Sequence, residues 1–572
     1  MKTFIPILNW LPDYKSEYLK DDFIAGVTVA VLLIPQGMAY ALIAGLPPIY
    51  GLYAALTPQI IYAFLGTSRQ LAVGPVAMDS LLVAAGLGAL SIVDSNQYIQ
   101  MAILLALTIG AIQFLLGLLK MGFIVNFLSK PVISGFTSAA AIIICINQLK
   151  HILGISISQS NKIHIFTSAL MQSETPINLH SLIIGIVSII LLILIKGWSS
   201  KIPSALVVVV IGICWVTFTH QIQPSVAIVG NIPDGLPNFS FPPLKWEIIK
   251  ELIPISLTIA LVAFMEAISI SKSIQEKHKT YEINPNQELL ALGASNMIGS
   301  FFQSYPTTGG FSRTAVNNEA GAKTGVAALI SALIVAIILT FFTDWFYYLP
   351  KSVLGAIIIV AVIKLINYKY AIRLYKIRKD EFLVLLFTFI ATLFIGITEG
   401  ILFGIIFSFL LLIYRTSKPH YAFLGRIGST NYFKNIKRFP DEVVLRDDLI
   451  ILRFDAQLFF GNIHFFKKLV FDSLNKNPKK VKGFIINARS MNYIDSTAIE
   501  QLIDIIEKIQ EKGIRVMLVG ATGPTRDSVI KSKLINVVKK GNLFITSGDA
   551  TDSFDKVCKK STIQKKLSRQ TN

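Results

Sequence analysis

The chain has 572 residues, of which 53% are hydrophobic and only 15% are charged, and its mean hydropathy is +0.61. Globular chains carry roughly a quarter charged residues, so this composition excludes a wholly soluble enzyme and indicates an integral membrane protein. The net charge of +19 does not indicate a nucleic-acid partner, because most basic residues lie in short gaps between apolar stretches, as they do when charge sets orientation in a membrane.

Apolar stretches that could enter a membrane number about fourteen, and several are short or interrupted by Gly and Pro. The first seven start at Phe23, Ile49, Leu71, Ile99, Phe123, Leu179 and Pro203, and the second seven at Ile248, Gln287, Gly309, Val326, Ser352, Glu381 and Thr398. A cytoplasmic amino terminus places most basic gaps on the cytoplasmic side, so we expect both termini there. The outer gap near Lys150 and Lys162 fits this orientation least well.

The two sets of seven stretches resemble each other. In each set the third stretch is interrupted at a glycine-containing turn, AVGP at 72–75 and TGGF at 308–311. Because seven is odd, the second set would enter the membrane from the opposite side, which predicts an inverted repeat of the kind found in alternating-access transporters. We expect a transmembrane domain over residues 1–418, with repeats at approximately 20–218 and 246–417. The alternative is that Gly and Pro are simply frequent in membrane helices.

After Lys418 the composition changes to a soluble pattern, with strands predicted at Leu449–Phe454, 481–487 and 514–519. A helix between the last two is predicted to start with a capping box of Thr497 and Glu500. We expect a small α/β domain over residues 436–555 and a basic tail over 556–572. No phosphate-binding glycine loop is present, so nothing indicates an ATPase or another enzyme, and transport would be driven by a gradient. The three cysteines and seven histidines lack metal-site spacing, so we expect neither a metal nor a cofactor.

Two predicted helix starts form the candidate binding site. If helices begin at Gly74-Pro75 and at Gly309-Gly310, their free N–H groups and positive dipole ends would face each other near the midplane and bind an anion. Pro75 suits the first helical position. The residues around the two starts are Val76, Ala77, Phe311, Ser312 and Arg313. Arg313 would bind an oxyanion through paired N–H donors; alternatively it pairs with Glu319 or reaches the membrane interface.

Four further polar residues lie within apolar stretches. Gln36 and Tyr40 are four positions apart and share a helical face, although Gln36 could instead satisfy a kink left by Pro35. Glu266 could cycle a proton, hold a cation, or serve as a structural partner for a nearby hydroxyl. Asp79 would oppose an anion if it were charged, so we expect it to be protonated or turned toward the scaffold.

At these residues the sequence resembles the SulP family of sulfate permeases and related anion transporters. The stretches that carry the resemblance in the first half are LIPQGMAY (33–40), GLPPIYGLY (45–53), GTSR (66–69) and VGPVA (73–77). In the second half they are Glu266, NPNQEL (284–289) and GFSRT (310–314). The tail resembles a STAS domain, with IDSTA (494–498) as its central turn. The likeness covers nearly the whole chain, in order.

The resemblance implies a seven-plus-seven inverted repeat with a core and a gate domain, and a homodimer. It implies an anion site between the third and tenth elements, near Gln36, Tyr40, Val76, Ser312 and Arg313. It gives Glu266 the coupling position, where sodium-dependent bicarbonate carriers of the family tend to have Asp, so Glu favours protons. Ser496 matches a serine that is phosphorylated in bacterial proteins resembling the tail, although transporter tails often lack that switch.

The function that these observations favour is proton-coupled uptake of sulfate by alternating access. The expected partners are an inorganic anion, a coupling proton or sodium ion, and membrane lipid, with no nucleic acid. One alternative is a bicarbonate or chloride transporter or exchanger, with or without sodium coupling. The other alternative is a membrane-anchored STAS interaction module. Arg313 and Glu266 disfavour it, because charged side chains within a membrane are energetically costly and are rarely found in segments that serve only as anchors. We expect a multi-pass protein of the inner (plasma) membrane with a cytoplasmic STAS domain.

Overall fold

The structure is a computed structural model that describes residues 5–88, 94–123, 129–155, 176–198, 203–219, 226–278, 281–444, 446–476 and 480–570, with residues 90, 157, 167, 168 and 171. Residues 560–570 are described by their backbone alone. Lys162, named above for its poor fit to the orientation, lies outside these ranges. The chain divides into two compact units, Met1–Ser408 and Phe409–Asn572.

The first unit is helical apart from two very short strands. Its first described helices and strand are α1 (Ile7–Trp10), α2 (Ser16–Ile43), α3 (Pro48–Ala54), α4 (Thr57–Leu65), β1 (Val73–Gly74), α5 (Ala77–Gly88), α6 (Ser95–Leu118), α7 (Lys130–Leu153), α8 (Leu179–Trp198) and α9 (Ser204–Thr219). They are followed by α10 (Trp246–His278), α11 (Pro285–Phe301), β2 (Thr308–Gly309), α12 (Phe311–Glu319), α13 (Val326–Phe341), α14 (Lys351–Val362), α15 (Tyr368–Ile377) and α16 (Lys379–Phe394), and then by α17 (Ile397–Ser417), which continues into the second unit.

Within the described ranges, seven helices are long and apolar enough to cross a membrane, and three shorter helices are apolar as well. The predicted starts correspond closely to these elements. Helices α5 and α7 begin later than the starts predicted at Leu71 and Phe123, and α2 begins earlier than Phe23. The later start of α5 has a physical reason, because the residues before it form strand β1 instead.

The helices of the first unit pack in two groups. In one group α11 lies against α4 and α6, and α2 packs against α3, α12 and α13. In the other group α7 packs against α8, α14 and α16. Each group combines helices from both halves of the unit, which is the arrangement that an inverted repeat predicts. The repeat boundaries stay predictions.

A glycine pair explains the close approach of α2 and α3. A Cβ built on Gly51 would overlap the carbonyl oxygen of Gly37, and a Cβ on Gly37 would lie 3.0 Å from the Gly51 carbonyl oxygen. The two backbones can therefore touch only where both residues lack side chains. This contact holds α3 against the part of α2 that carries Gln36 and Tyr40.

Two buried carboxylates outside the predicted site tie loops to helices. Glu288 accepts hydrogen bonds from the Tyr62 hydroxyl at 2.7 Å and from the Thr67 amide and hydroxyl at 2.7 and 2.6 Å. Asp22 accepts them from the Thr324 amide and hydroxyl at 3.0 and 2.6 Å. Buried carboxylates with satisfied oxygens serve structure. The motifs at 66–69 and 284–289 therefore join the two halves of the first unit.

The second unit contains a six-stranded sheet in the order β4-β3-β5-β6-β7-β8. Its strands are β3 (Tyr421–Arg426), β4 (Phe433–Asn435), β5 (Leu449–Phe454), β6 (Gly483–Asn487), β7 (Arg515–Val519) and β8 (Leu543–Phe544). Its helices are α18 (Ile463–Lys476), α19 (Ser496–Glu511), α20 (Gly523–Lys531), α21 (Leu534–Val538) and α22 (Ser547–Gln570). Strands β5 to β8 are parallel, and β3 is antiparallel to both of its neighbours.

The two faces of this sheet are covered by different helices. Successive residues of a strand point to opposite faces, so Phe484 packs in a cluster with Phe466 and Leu502, while Ile485 packs in another with Phe554. Phe466 belongs to α18, Leu502 to α19 and Phe554 to α22. This is the predicted small α/β domain, with its three predicted strands in place.

The start of α19 differs from the prediction. Thr497 and Glu500 do not form its cap; Asp495 does, since its carboxylate accepts the Ala498 amide at 2.7 Å. The other Asp495 oxygen accepts the Phe460 amide at 2.9 Å, a contact from a distant loop that local sequence spacing cannot reveal. Ser496 is the first residue of α19 and is exposed.

We expect Asp495→Ala to loosen α19 in the full-length protein. Loss of a helix cap costs about 1–2 kcal/mol, so amide hydrogen exchange over residues 496–511 should become roughly tenfold faster. Thr497→Ala is the matched control and should leave exchange unchanged, because Thr497 is exposed and is not the cap. Equal acceleration by both variants would contradict the assignment of the cap.

Candidate functional site

The two interrupted elements meet through a strand pair. Val73 lies opposite Gly309 and Gly74 opposite Thr308 in the antiparallel pair of β1 and β2, and the Gly310 amide donates to the Ala72 carbonyl at 3.0 Å. Helices α5 and α12 begin directly after this crossing. Two helix N-termini from different halves of the chain are thus held together, as predicted.

The prediction that Pro75 occupies the first position of its helix is wrong. Helix α5 begins at Ala77, and its first hydrogen bond runs from the Ser80 amide to the Val76 carbonyl at 2.9 Å. Pro75 therefore lies before the first helical position. Its carbonyl is free to accept a hydrogen bond from the side chain of Arg313, at 2.7 Å from Nη1.

Arg313 is the central charged group of the site. It is only 2% exposed, and within the described residues its Nε and Nη2 atoms have no hydrogen-bond partner. The contact predicted as an alternative, with Glu319, is not formed there, and Glu319 is exposed. A Cβ on Gly310 would lie 2.7 Å from the guanidinium carbon, so glycine at this position lets the guanidinium fold back over the start of its own helix.

Gln36 and Tyr40 lie on α2 and are buried, at 7% and 6% exposure. Tyr40 is within electrostatic reach of Arg313 and of Glu266. The Gln36 side-chain oxygen has no hydrogen-bond partner among the described residues. The structure therefore brings Tyr40, Arg313 and Glu266 together, and leaves a neutral polar group on the same helical face as Tyr40.

The residues at the two helix starts differ in exposure. Val76 and Ala77 at the start of α5 are buried. Phe311 is 62% exposed, and Ser312 is exposed as well. The first turn of α12 therefore has a buried side that carries Arg313 and an exposed side that carries Phe311 and Ser312.

Two carboxylates accompany the guanidinium. Asp79 is fully buried on α5, and neither of its oxygens has a hydrogen-bond partner in the described part of the chain. Glu266 is half-buried on α10, and its Oε2 atom likewise lacks a described partner. Asp79 is within electrostatic reach of Glu266, and Glu266 is within reach of Arg313. The site therefore combines one guanidinium with two carboxyl groups that have oxygens without a described hydrogen-bond partner.

The described residues contain no group of three or more His, Cys, Asp or Glu side chains that could hold a metal ion. The groups described at this site are two helix N-termini, a guanidinium, a phenol, an amide and two carboxylates. Such a set favours a small anion and a proton.

Comparison with known proteins shows the family. Residues 19–388 match the sulfate permease family, and residues 442–550 match the STAS domain. The chain belongs to the sulfate permease family. Over 566 residues this permease is 37% identical to "Sulfate transporter 4.1, chloroplastic" of Arabidopsis thaliana, a match covering 96% of this chain and 82% of that protein. It is 30% identical to a probable sulfate transporter of Mycobacterium tuberculosis, with coverage of 96% and 98%.

Solved structures agree with this assignment. The permease superimposes on the murine Solute Carrier 26 family member A9 anion transporter in the inward-facing state, with a TM-score of 0.88 at 26% identity, covering 96% of this chain and 93% of that one. The transmembrane domain of the cyanobacterial bicarbonate transporter BicA matches 69% of this chain at a TM-score of 0.60 and 22% identity, a likeness of fold alone. The predicted fold class, a multi-span helical domain followed by a STAS domain, is confirmed, and the permease is a multi-pass membrane protein.

One residue of the site was missed by the sequence reasoning. Tyr305 is fully buried, its hydroxyl lies 2.9 Å from the Ser80 hydroxyl, and it is within electrostatic reach of Arg313 and Asp79. It lies in the unwound stretch between α11 and β2 of the permease. The sequence feature that could have indicated Tyr305 is its position directly before Pro306, because a residue before proline disfavours helical geometry.

Asn296 on α11 holds the unwound stretch in place. Its side-chain oxygen accepts the Thr307 amide at 2.8 Å and the Thr307 hydroxyl at 3.1 Å, and its amide donates to the Thr307 carbonyl at 3.0 Å. Thr308 follows and donates its hydroxyl to the Ala263 carbonyl at 2.8 Å. These bonds replace the helical bonds that the stretch lacks, so the position of β2 depends on them.

We expect Asn296→Ala to destabilise the permease by about 1–3 kcal/mol, because the buried Thr307 amide would lose its partner. The melting temperature of the detergent-solubilised protein should fall accordingly. Gln303→Ala is the matched control, since the hydrogen bond that its side chain makes within the described ranges is an exposed one, to the Asn238 carbonyl at 3.3 Å. An unchanged melting temperature for Asn296→Ala would contradict a role in holding β2.

Proposed function

We propose that this permease is a secondary active transporter that takes up sulfate together with protons by alternating access. The observation that carries the proposal is the buried Arg313 guanidinium beside two helix N-termini, with two of its nitrogens unpartnered among the described residues. A buried arginine is costly unless something compensates its charge. An oxyanion would do so through paired N–H donors.

A dianion fits this arrangement better than a monoanion. Helices α5 and α12 each contribute the positive end of a helix dipole, and Arg313 adds a full charge with little water to screen it. The interaction energy of an ion with such a field is proportional to its charge, so this term is twice as large for sulfate as for chloride or bicarbonate at the same position. Sulfate also loses more hydration energy, which the N–H donors of Arg313 and of the helix starts would offset. The relatives named as sulfate transporters in a plant and a bacterium support the same choice.

The coupling ion in this proposal is a proton carried by Glu266, with Asp79 as the second titrating group. A sulfate that enters beside Arg313 adds negative charge, which favours protonation of a nearby carboxylate. Anion and proton would then bind together and leave together. Sodium coupling is the alternative, because a half-buried carboxylate can also hold a cation.

The remaining assignments belong to the same proposal. We place the protein in the inner (plasma) membrane. The distribution of basic residues supports a cytoplasmic location for both termini and for the STAS domain. The proposed domains span residues 1–418, 436–555 and 556–572, the proposed assembly is a homodimer, and the proposed regulatory site is phosphorylation of Ser496. The exposure of Ser496 at the start of α19 supports that last assignment, since a phosphate at a helix N-terminus is stabilised by the dipole.

Uptake of radiolabelled sulfate into proteoliposomes tests the function. We expect accumulation above the external concentration when the outside is made acidic, and loss of accumulation when a protonophore collapses the gradient. Accumulation driven by sodium without a pH gradient would replace the proton with sodium. Transport of bicarbonate or chloride with no sulfate uptake would establish the alternative anion. No transport of any of these would favour an anchored STAS module.

A further inference from the structure

Helix α15, Tyr368–Ile377, differs in composition from the apolar helices on either side of it. Its start is separate from α14, because the Asn367 side chain caps it by accepting the Tyr370 amide at 3.1 Å. Its sequence is YKYAIRLYKI, in which the basic residues recur every three or four positions and so do three of the exposed apolar residues. Leu374 is buried against the protein, so the helix lies on the first unit with most of its surface uncovered.

The uncovered surface carries two parallel stripes. The apolar stripe is exposed, with Tyr368 at 61%, Ile372 at 52% and Tyr375 at 56%. The basic stripe consists of Lys369, Arg373 and Lys376, which are also exposed. Each stripe follows the same spacing of four and then three residues, so each runs along the whole helix beside the other.

The basic stripe is not neutralised by the protein. In the part of the chain that the structure describes, Lys369, Arg373 and Lys376 form no ion pair. The adjacent acids Asp380 and Glu381 are engaged by Arg378, at 3.4 and 3.5 Å. The stripe therefore presents three uncompensated positive charges next to exposed apolar side chains.

A second cationic feature lies beside this helix. Lys364 lies four residues before α15 and is exposed, and Lys196, near the end of α8, is within electrostatic reach of it. Two ammonium groups repel each other at such a distance. Trp198, two residues after Lys196, is 86% exposed, and exposed tryptophan is typical of the membrane–water interface.

We propose that α15, together with Lys364 and Lys196, binds the headgroups of anionic phospholipids. The helix lies in the plane of the membrane surface, with Tyr368, Ile372 and Tyr375 toward the acyl chains and the basic stripe at the level of the phosphates. A free anion would use the charges but not the adjoining apolar stripe. The pairing of the two stripes therefore identifies a lipid, and the inference does not depend on which solute the permease carries.

The test measures stabilisation of the full-length protein in detergent by added lipid. Dioleoylphosphatidylglycerol should raise the melting temperature by about 5 °C at saturation, whereas dioleoylphosphatidylcholine should not. The triple variant Lys369→Gln, Arg373→Gln, Lys376→Gln should lose most of that shift. A variant with equal loss of charge on the STAS domain, Lys531→Gln, Lys533→Gln, Lys540→Gln, should keep it.

Two further variants are measured in the same lipid assay. Ile372→Ser with Tyr375→Ser should also reduce the shift, and the conservative pair Lys369→Arg, Lys376→Arg should retain it even if the triple variant folds poorly. An equal shift in the triple variant and the parent would overturn the proposal, as would equal losses in the triple variant and the STAS control. A matching shift from soluble glycerol 3-phosphate would show a free-anion site and would overturn a lipid site.

Discussion

Arg313→Ala is expected to weaken sulfate binding by about tenfold or more. Charge-assisted hydrogen bonds contribute roughly 1.5–3 kcal/mol, and each tenfold change in affinity corresponds to about 1.4 kcal/mol. Arg313 is 2% exposed, so water cannot replace the lost donors efficiently. Sulfate binding to the purified protein, measured by calorimetry or by thermal stabilisation, gives the number directly.

The matched variants distinguish binding from structure. Arg313→Lys should recover only part of the affinity, because an ammonium cannot donate to an oxyanion and to the Pro75 carbonyl with the geometry of a planar fork. Glu319→Ala should leave affinity unchanged, since Glu319 is exposed and is not bonded to Arg313 within the described residues. A strong defect in Glu319→Ala, or normal affinity in Arg313→Ala, would exclude the proposed site.

A change of selectivity is part of the same prediction. If Arg313 and the two helix starts act through charge, the alanine variant should lose more affinity for sulfate than for a monoanion such as chloride. If Arg313 acts only by bonding the Pro75 carbonyl and holding β1, both anions should lose affinity equally. The melting temperature of Arg313→Ala without substrate measures how much Arg313 contributes to protein stability. We expect it to fall under both explanations, because the bond to the Pro75 carbonyl is lost.

The sequence revealed the interruptions of the third and tenth elements because Gly and Pro mark them locally. The second helix starts where the sequence predicted, since Gly310 is the residue before α12, but the sequence did not reveal where the first helix resumes. Val73 and Gly74 pair with residues of β2 from the other half of the chain, and that pairing displaces the start of α5 to Ala77. The same limit applies to Tyr305, whose place beside Ser80 depends on how the stretch after α11 unwinds.

Charged residues in apolar stretches were recognisable as unusual, but their roles depend on partners that local sequence does not give. Glu288 belongs to a stretch that resembles the family motifs, and its oxygens are satisfied by Tyr62 and Thr67. Asp79 and Glu266 have unpartnered oxygens within the described ranges. Only the three-dimensional hydrogen bonds distinguish acids whose oxygens are satisfied by the scaffold from acids whose oxygens are not.

Glu266→Gln is expected to abolish proton-driven accumulation while sulfate counterflow survives. The substitution keeps the size and polarity of the side chain and removes its proton. A gradient of one pH unit can support about tenfold accumulation per coupled proton, and we expect this dependence on external pH to disappear in the variant. Uptake into proteoliposomes with imposed pH gradients measures accumulation, and exchange of labelled against unlabelled sulfate measures counterflow.

Asp79→Asn is the matched control, because it makes the same chemical change to the other unpartnered carboxylate. Both carboxylates have a buried oxygen without a described partner, but only Glu266 lies within electrostatic reach of Arg313, so Glu266 is better placed to sense the anion. We therefore expect Asp79→Asn to change the pH midpoint of uptake through its coupling to Glu266 without abolishing accumulation. Full proton-driven uptake in Glu266→Gln, with its loss in Asp79→Asn, would transfer the coupling role to Asp79. Loss of counterflow in Glu266→Gln would instead mean that the carboxylate serves anion binding itself.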